Sequence, residues 1–272
     1  LHMFLLENPK GATEFVEDAC RALMVEEVPL EPHAKRECMI CRATLKQLLG
    51  LGLALSHSEQ EANQHYSPGV DLLIEACEDD PVAVVENFHR LGQMWVDVGH
   101  PELALKSVSY SKDRLPGLRK SHPKLVAETL HLVTRAGVDL ESADKVASYA
   151  DEAVRVAEEG KLGPAMLGKS HCNRGIVLYA LKKYRDAVNA FEAASVAYSK
   201  ASDISPLELA TLDHHSALAK LRIGAPAEAV PLARSAFAVR LSRLGVQHRL
   251  SASSSQVLVE AEAGMPQAKK SR

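Results

Sequence analysis

Four residues recur at one interval along the chain: His89, His131, Cys172 and His214 stand 42, 41 and 42 positions apart. Imidazole and thiol groups can ligate metals, exchange hydrogen bonds or pack, so the row admits three readings. A metal ion needs converging ligands, whereas the axes of packed helices lie ~8–10 Å apart; four such residues on successive helices cannot share one ion, although a neighbouring pair could. Packed between helices, they would be structural. Facing a groove, they would form a row of donors and acceptors able to grip an extended peptide. Gln93, Arg135, Lys169, Asn173 and His215 stand on or near the same face and extend that row. The candidate peptide-binding set is therefore His89, Gln93, His131, Arg135, Lys169, Asn173, His214 and His215.

Other constellations point to chemistry less strongly. Cys38-x-x-Cys41 lies in KRECMICRATLKQLL, a helical pattern without the second pair that a zinc site needs or the βαβ setting of a redox motif. Cysteines packed on an apolar helix are the expectation. His214-His215 and the Ser251–Ser255 run could suggest nucleophilic catalysis, but no glycine elbow frames a nucleophile, and the serines read as an exposed helix face. Glu26-Glu27 and Glu78-Asp79-Asp80 fall at helix ends or in loops, without the cleft that paired acid and base carboxylates require. There is no nucleotide-binding glycine loop. The expectation is a protein that is not an enzyme, with no catalytic residues, metal or cofactor.

Composition agrees. Of 272 residues 46% are hydrophobic, enough for one large domain or two small ones. The net charge is -3, with 32 basic against 35 acidic residues, so there is no electrostatic footprint for autonomous nucleic-acid binding. The longest apolar run, LLGLGLAL from Leu48 to Leu55, is far short of the ~18 residues that suggest a membrane span. Leu1-His2-Met3 reads as a remnant with no basic leader behind it, and five irregularly spaced cysteines suit a reducing compartment. A cytoplasmic location without membrane insertion is expected.

The elements that would position these residues are helices. Aromatics are only 4% of the chain, and alternating β-branched runs are scarce. Pro81, Pro101, Pro123, Pro164, Pro206 and Pro226 each precede an amphipathic run, as suits a residue tolerated in the first turn of a helix and disruptive inside it. Asp80 and Ser205 offer caps, and Gly99, Gly163 and Gly224 act as stops. The pattern predicts helices over 81–98, 101–114, 123–137, 141–160, 164–181, 184–201, 206–223, 226–244 and 248–262: four antiparallel hairpins and a final helix. Small residues repeat at fixed places in these hairpins. Gly92, Ala104 and Ser111 correspond to Gly175, Ala187 and Ala194, and to Ala217, Ala229 and Ala236, whereas Thr134, Val146 and Ala153 match less well. Close packing explains them, since a larger side chain at a helix crossing pushes the axes apart. Trp95 is then one copy's large core residue, with Leu178 its counterpart.

Leu91-Gly92, Trp95, Ala104 and Ser111, followed by Gly175, Leu178, Ala187, Phe191 and Ala194, resemble tetratricopeptide repeats. The period of about 42, with loops such as RKSHPKL and RLGVQH, is similar to the kinesin-light-chain variety. The resemblance covers residues 81–262, with Thr134, Val146, Gly137 and Lys220 as departures. It implies an all-α fold, a right-handed superhelical solenoid of antiparallel helix hairpins. It also implies that an asparagine placed like Asn173 holds ligand backbone. Three regions are expected: 1–80, divergent repeats or a cap, with helices over 15–27, 37–55 and 68–78 and loops at VPLEPH and SHSEQEANQHYSP; 81–263, the repeat array; and 264–272, a disordered basic tail. The expected function is a non-catalytic scaffold that binds a peptide or partner subunit in a groove. The alternatives are a subunit of an RNA-processing complex, touching nucleic acid through that complex or through a stripe at Arg114, Arg119, Lys120 and Lys124, and the regulatory region of a larger enzyme.

Overall fold

The computed structural model describes residues 32–55, 59–77, 80–97 and 99–265, with Glu14 and Asp18 besides. Apart from Asp18, the helix expected over 15–27 lies outside the described residues, as does the tail from residue 266. The chain divides into two compact units, residues 1–125 and 126–272. Among the described residues all regular structure is helical.

In the first unit, α1 (Pro32–Leu55) packs against α2 (Glu59–Cys77). Their approach is close at Gly69: a Cβ there would stand 3.0 Å from the Lys46 Cβ and 3.1 Å from the Ala43 carbonyl oxygen. The helix α2 runs through the stretch expected as a loop. Pro68 lies inside it, forfeiting one backbone hydrogen bond instead of opening the helix. Asp80 caps the next helix, α3 (Pro81–Asp97), accepting from Val82 N at 3.1 Å and Ala83 N at 3.0 Å. The Ala83 N–H bond and then Arg36, 2.8 Å away, hold its carboxyl below the usual range. Trp95 is buried, edge-on to His100, and belongs to the core as its spacing implies.

The helix expected over 101–114 divides. It runs as α4 (Pro101–Ser109), passes through a 3-10 turn at Lys112–Arg114 and resumes as α5 (Leu115–Leu118). Ser109 and Ser111 turn their hydroxyls back to the carbonyls of Lys106 and Val108, competing with the helical ladder.

The remaining helices follow the predicted segments closely. They are α6 (Pro123–Asp139), α7 (Ala143–Glu159), α8 (Gly163–Ala180), α9 (Tyr184–Tyr198), α10 (Pro206–Arg222), α11 (Pro226–Leu244) and α12 (Arg249–Ala263). Ser205 caps α10, its side chain accepting from Leu207 N at 3.3 Å. Small residues at the recurring positions are buried throughout: Ala104, Ala187 and Ala229 on the second helices, and Ala153, Ala194 and Ala236 at the later recurring position, are each 0% exposed. At Gly175 a Cβ would come within 2.5 Å of the Phe191 ring, so the close crossing of α8 and α9 requires glycine.

The poorly matching copy keeps the same register by exchanging sizes. Val146 takes the place of a small residue, and Gly137 takes the place of a bulky one. A Cβ on Gly137 would collide with the Val146 side chain. Both are buried, so the crossing of α6 and α7 is filled from the opposite helix.

Candidate functional site

The recurring row lies on the first helix of each hairpin. In the second unit it includes His131 on α6, Cys172 on α8 and His214 on α10, and all three are buried. The His131 Nε2 is 2.9 Å from the Ser170 hydroxyl of the next first helix. Ser170 gives its single proton to the Met166 carbonyl at 3.0 Å, so the imidazole donates. His214 repeats the pairing two periods on, with its Nδ1 3.2 Å from the Ser254 hydroxyl of α12. Here the buried Arg240 of α11 donates to Ser254 from Nη1 at 2.9 Å, which leaves the serine proton for His214. Nη2 reaches Thr211 at 3.4 Å.

These surroundings set the charge states. Burial, and then the Arg240 charge, push His214 down to about 4, so it is neutral near pH 7. His215 is pushed down to about 3 by burial first; its Nδ1 is buried without a partner, and its ring stacks on Phe191 at 6.3 Å. Cys172 stands in an apolar cluster with Phe191, Tyr198 and Leu212, and burial pushes its thiol up to about 12.

The rest of the candidate set is more open. Lys169 and Asn173, one turn apart on α8, are half-buried, as is His215 on α10, while Arg135 on α6 is exposed. In the first unit, His89 and Gln93 of α3 are half-buried, and Gln93 donates to Asp97 at 2.8 Å. Within the second unit, then, the two histidines of the row turn inward to the following helix, and Arg135, Lys169 and Asn173 remain at the surface.

Several residues that define this arrangement were not singled out from the sequence. Ser170 follows His131 by 39 positions and Ser254 follows His214 by 40, a second period running beside the first. The serine run 251–255 is not the exposed face expected of it: Ser251 is 1% exposed and Ser254 0%. A serine does meet a histidine there, but Ser254 is enclosed and bonded to Arg240, so it cannot attack a substrate. The helix of Cys38 and Cys41 likewise presents them differently, with Cys38 half-buried and Cys41 exposed, both free. Among the described residues no three His, Cys, Asp or Glu side chains converge as a metal site would require. No helix there is long and apolar enough to cross a membrane.

Known structures share this arrangement of hairpins. BtubC (BKLC) from P. vanneervenii superposes with a TM-score of 0.62 at 16% identity, covering 90% of this chain and 94% of its own. A point variant of a Podosopora anserina kinesin light chain with nearly identical TPR-like repeats gives 0.52 at 18% identity, over 66% and 85% of the two chains. The chain has the tetratricopeptide-like repeat fold. A chain of the APC/C hetero-tetramer Cut9-Hcn1 gives 0.51 at 13% identity, over 85% of this chain and 39% of that one. In sequence, this tetratricopeptide-like chain matches no family model and no curated protein.

Proposed function

We propose that this chain is a non-catalytic protein–protein interaction scaffold, taking up an extended peptide or a partner subunit along the face of its first helices. The observation that carries the reading is the pair Lys169 and Asn173. Both are half-buried and held one turn apart on a rigid helix, and neither side chain makes a hydrogen bond or ion pair among the described residues. An amide supplies both donors and an acceptor, and an ammonium supplies a charge; together they suit a peptide backbone with an acidic side chain nearby. Arg135 and His215 flank them on the neighbouring first helices. His131 and His214 support the face from beneath by fixing the spacing of those helices. Packing hairpins into an array leaves such a face continuous from copy to copy, and the tetratricopeptide-like chain of the Cut9-Hcn1 assembly is consistent with a role among other proteins.

The test is a peptide library selected against the whole chain, followed by Lys169→Ala with Asn173→Ala. Removing two hydrogen-bonding groups should weaken the selected peptides about tenfold or more, with the helical circular dichroism unchanged. Peptides that bind the double variant as tightly as the parent, or that crosslink only to second helices such as α9, would sink the reading.

A further inference from the structure

The position four residues before each copy's small residue on the first helix is occupied in turn by Phe88, Leu130, His171 and Asp213. Phe88 and Leu130 are core residues, 0% and 3% exposed. In the third and fourth copies the position is half-buried, and in the fourth it carries a carboxylate, smaller than Phe88 or Leu130 and charged. Beside it opens a cavity of about 120 Å³ between α9, α10 and α11. Its apolar walls are Val188, Phe191, Leu212 and Leu232.

Asp213 itself is half-buried. It accepts one hydrogen bond, from the Ser235 hydroxyl at 2.7 Å, and no cation pairs with it among the described residues. Burial raises its pKa, the mark of a carboxylate short of solvent and of countercharge. Lys220, a cation in the cavity wall, is already committed to Glu228 at 2.6 Å and Glu192 at 3.6 Å. Glu192 also lines the cavity, which therefore keeps an excess of negative charge. A packing defect would be expected to carry an apolar side chain, as at Leu130, and an ordinary surface acid would not need to be half-buried.

We propose that this cavity receives the side chain of a lysine from a partner protein, its aliphatic stem on the Phe191 and Leu212 walls and its ammonium at Asp213. The size suits one side chain. An apolar cavity of ~150 Å³ takes a benzene-sized group, whereas pockets for drug-sized ligands start at ~300 Å³. A long apolar stem with a charged tip is what a pocket of apolar walls and an acid without a paired cation accommodates. The site does not depend on the peptide reading: Asp213 stands about 200° around its helix from His215, the counterpart of Asn173 one copy on.

The experiment uses the full chain with methyl-labelled valine and leucine, read by nuclear magnetic resonance. Three probes are titrated at millimolar concentration: the capped tripeptide Ala-Lys-Ala, its analogue with norleucine for lysine, and n-butylammonium. The lysine peptide should shift the Val188, Leu212 and Leu232 methyl signals at least tenfold more tightly than the norleucine peptide, and more tightly than butylammonium. D213N keeps the size and the Ser235 contact but removes the charge, so it should abolish the preference for lysine over norleucine. D213F, which restores the side chain that the first copy carries at Phe88, should occupy the cavity and eliminate binding of every probe. Equal binding of lysine and norleucine, unchanged lysine binding by D213N, or no shift with any probe would overturn the proposal. Butylammonium binding as tightly as the peptide would overturn the partner-protein assignment in favour of a small amine.

Discussion

The hairpin of α8 and α9 and the hairpin of α10 and α11 share one backbone plan, yet they meet their successors with opposite chemistry. At three equivalent positions the first carries Cys172, Tyr198 and, on the next first helix, Leu212; the second carries His214, Arg240 and Ser254. All six are buried. The first trio is apolar and closely packed, so that a Cβ on Gly168 would collide with the Tyr198 ring. The second is a hydrogen-bonded chain from Arg240 through Ser254 to His214. Each trio is complete in itself. Exchanging one member would bury either a polar group without a partner or a gap beside an apolar wall, and each fault costs ~1–3 kcal/mol or more. The difference gives each interface its own chemical identity, so that one hairpin is a poor substitute for the other at a given place in the array.

The strongest way to break this comparison is to put the wrong residue into the apolar trio. Cys172→His installs the imidazole found in neighbouring copies, but here Leu212 stands in place of the partner serine and the Tyr198 ring crowds the site. Overpacking and an unpartnered ring nitrogen together should cost about 4 kcal/mol. Adding Leu212→Ser recreates the His131–Ser170 pairing and should recover at least about 1 kcal/mol through coupling between the two sites. Urea denaturation of the parent, both single variants and the double variant closes the cycle. Strictly additive losses would mean that the trios are not matched sets.

Acid distinguishes the interfaces next. An ordinary histidine titrates at 6.5, and His214 in the folded chain is pushed down to about 4. Above pH 6.5 both folded and unfolded chains hold it neutral, and its full contribution is present. Between 6.5 and about 4 the unfolded chain takes a proton that the folded chain refuses, so stability falls as pH falls, by about 3 kcal/mol for this residue taken alone. His215 acts in the same direction. The Cys172 trio has no group titrating in that window. Ring-proton titrations should place both histidines below about pH 5; a midpoint for His214 at the ordinary value would remove the basis for the contrast.

A smaller perturbation is Ser254→Ala. It leaves the His214 Nδ1 and one Arg240 donor without their shared partner and should cost about 2 kcal/mol. Alanine at Leu212 would instead test a cavity. Protection of α12 amides from exchange should fall first in Ser254→Ala, because Arg240 and His214 both tie that helix down through the serine. Unaltered protection of α12 would show that the polar trio contributes little there.

The parts legible from sequence are those set within one hairpin. Proline at a first turn and small residues at a crossing act over a few residues or across one tight pair, so their recurrence marks both the helices and the period. The inward turn of His131 and His214 depends on a serine about one whole period away, and a single hydroxyl in a helix gives no sign of which helix it faces. Nothing in the local pattern marks Arg240 for burial, which follows from its bonds to Leu250 and Ser254 of α12. The Gly137 and Val146 exchange looks like two departures from the pattern because each is judged alone, whereas they meet each other in space. Pro68 is the converse: a rule that holds at six other helix starts fails where α2 continues through it.

The finest contrast lies in the turns that join each pair of helices. One residue there adopts the left-handed backbone region in every copy: Gly99 at φ 89°, Glu141 at 54°, Lys182 at 61° and Gly224 at 79°. These four positions are equivalent by the same steps of 42, 41 and 42. The αL region costs an ordinary residue ~1–2 kcal/mol through its Cβ, and glycine avoids that cost but gives back ~0.5–1 kcal/mol in unfolded-state entropy. The hairpin of α8 and α9 therefore carries a small strain at Lys182 from which the hairpin of α10 and α11 is free. Lys182→Gly should stabilise the chain by about 0.5–1 kcal/mol, and Gly224→Lys should destabilise it by a similar amount. Lys182 is exposed, so lost side-chain packing should not mask the gain. Thermal melts of the two variants measure this directly. A loss of stability in Lys182→Gly would mean that the turn tolerates its side chain without strain and that the two hairpins differ only at their buried trios.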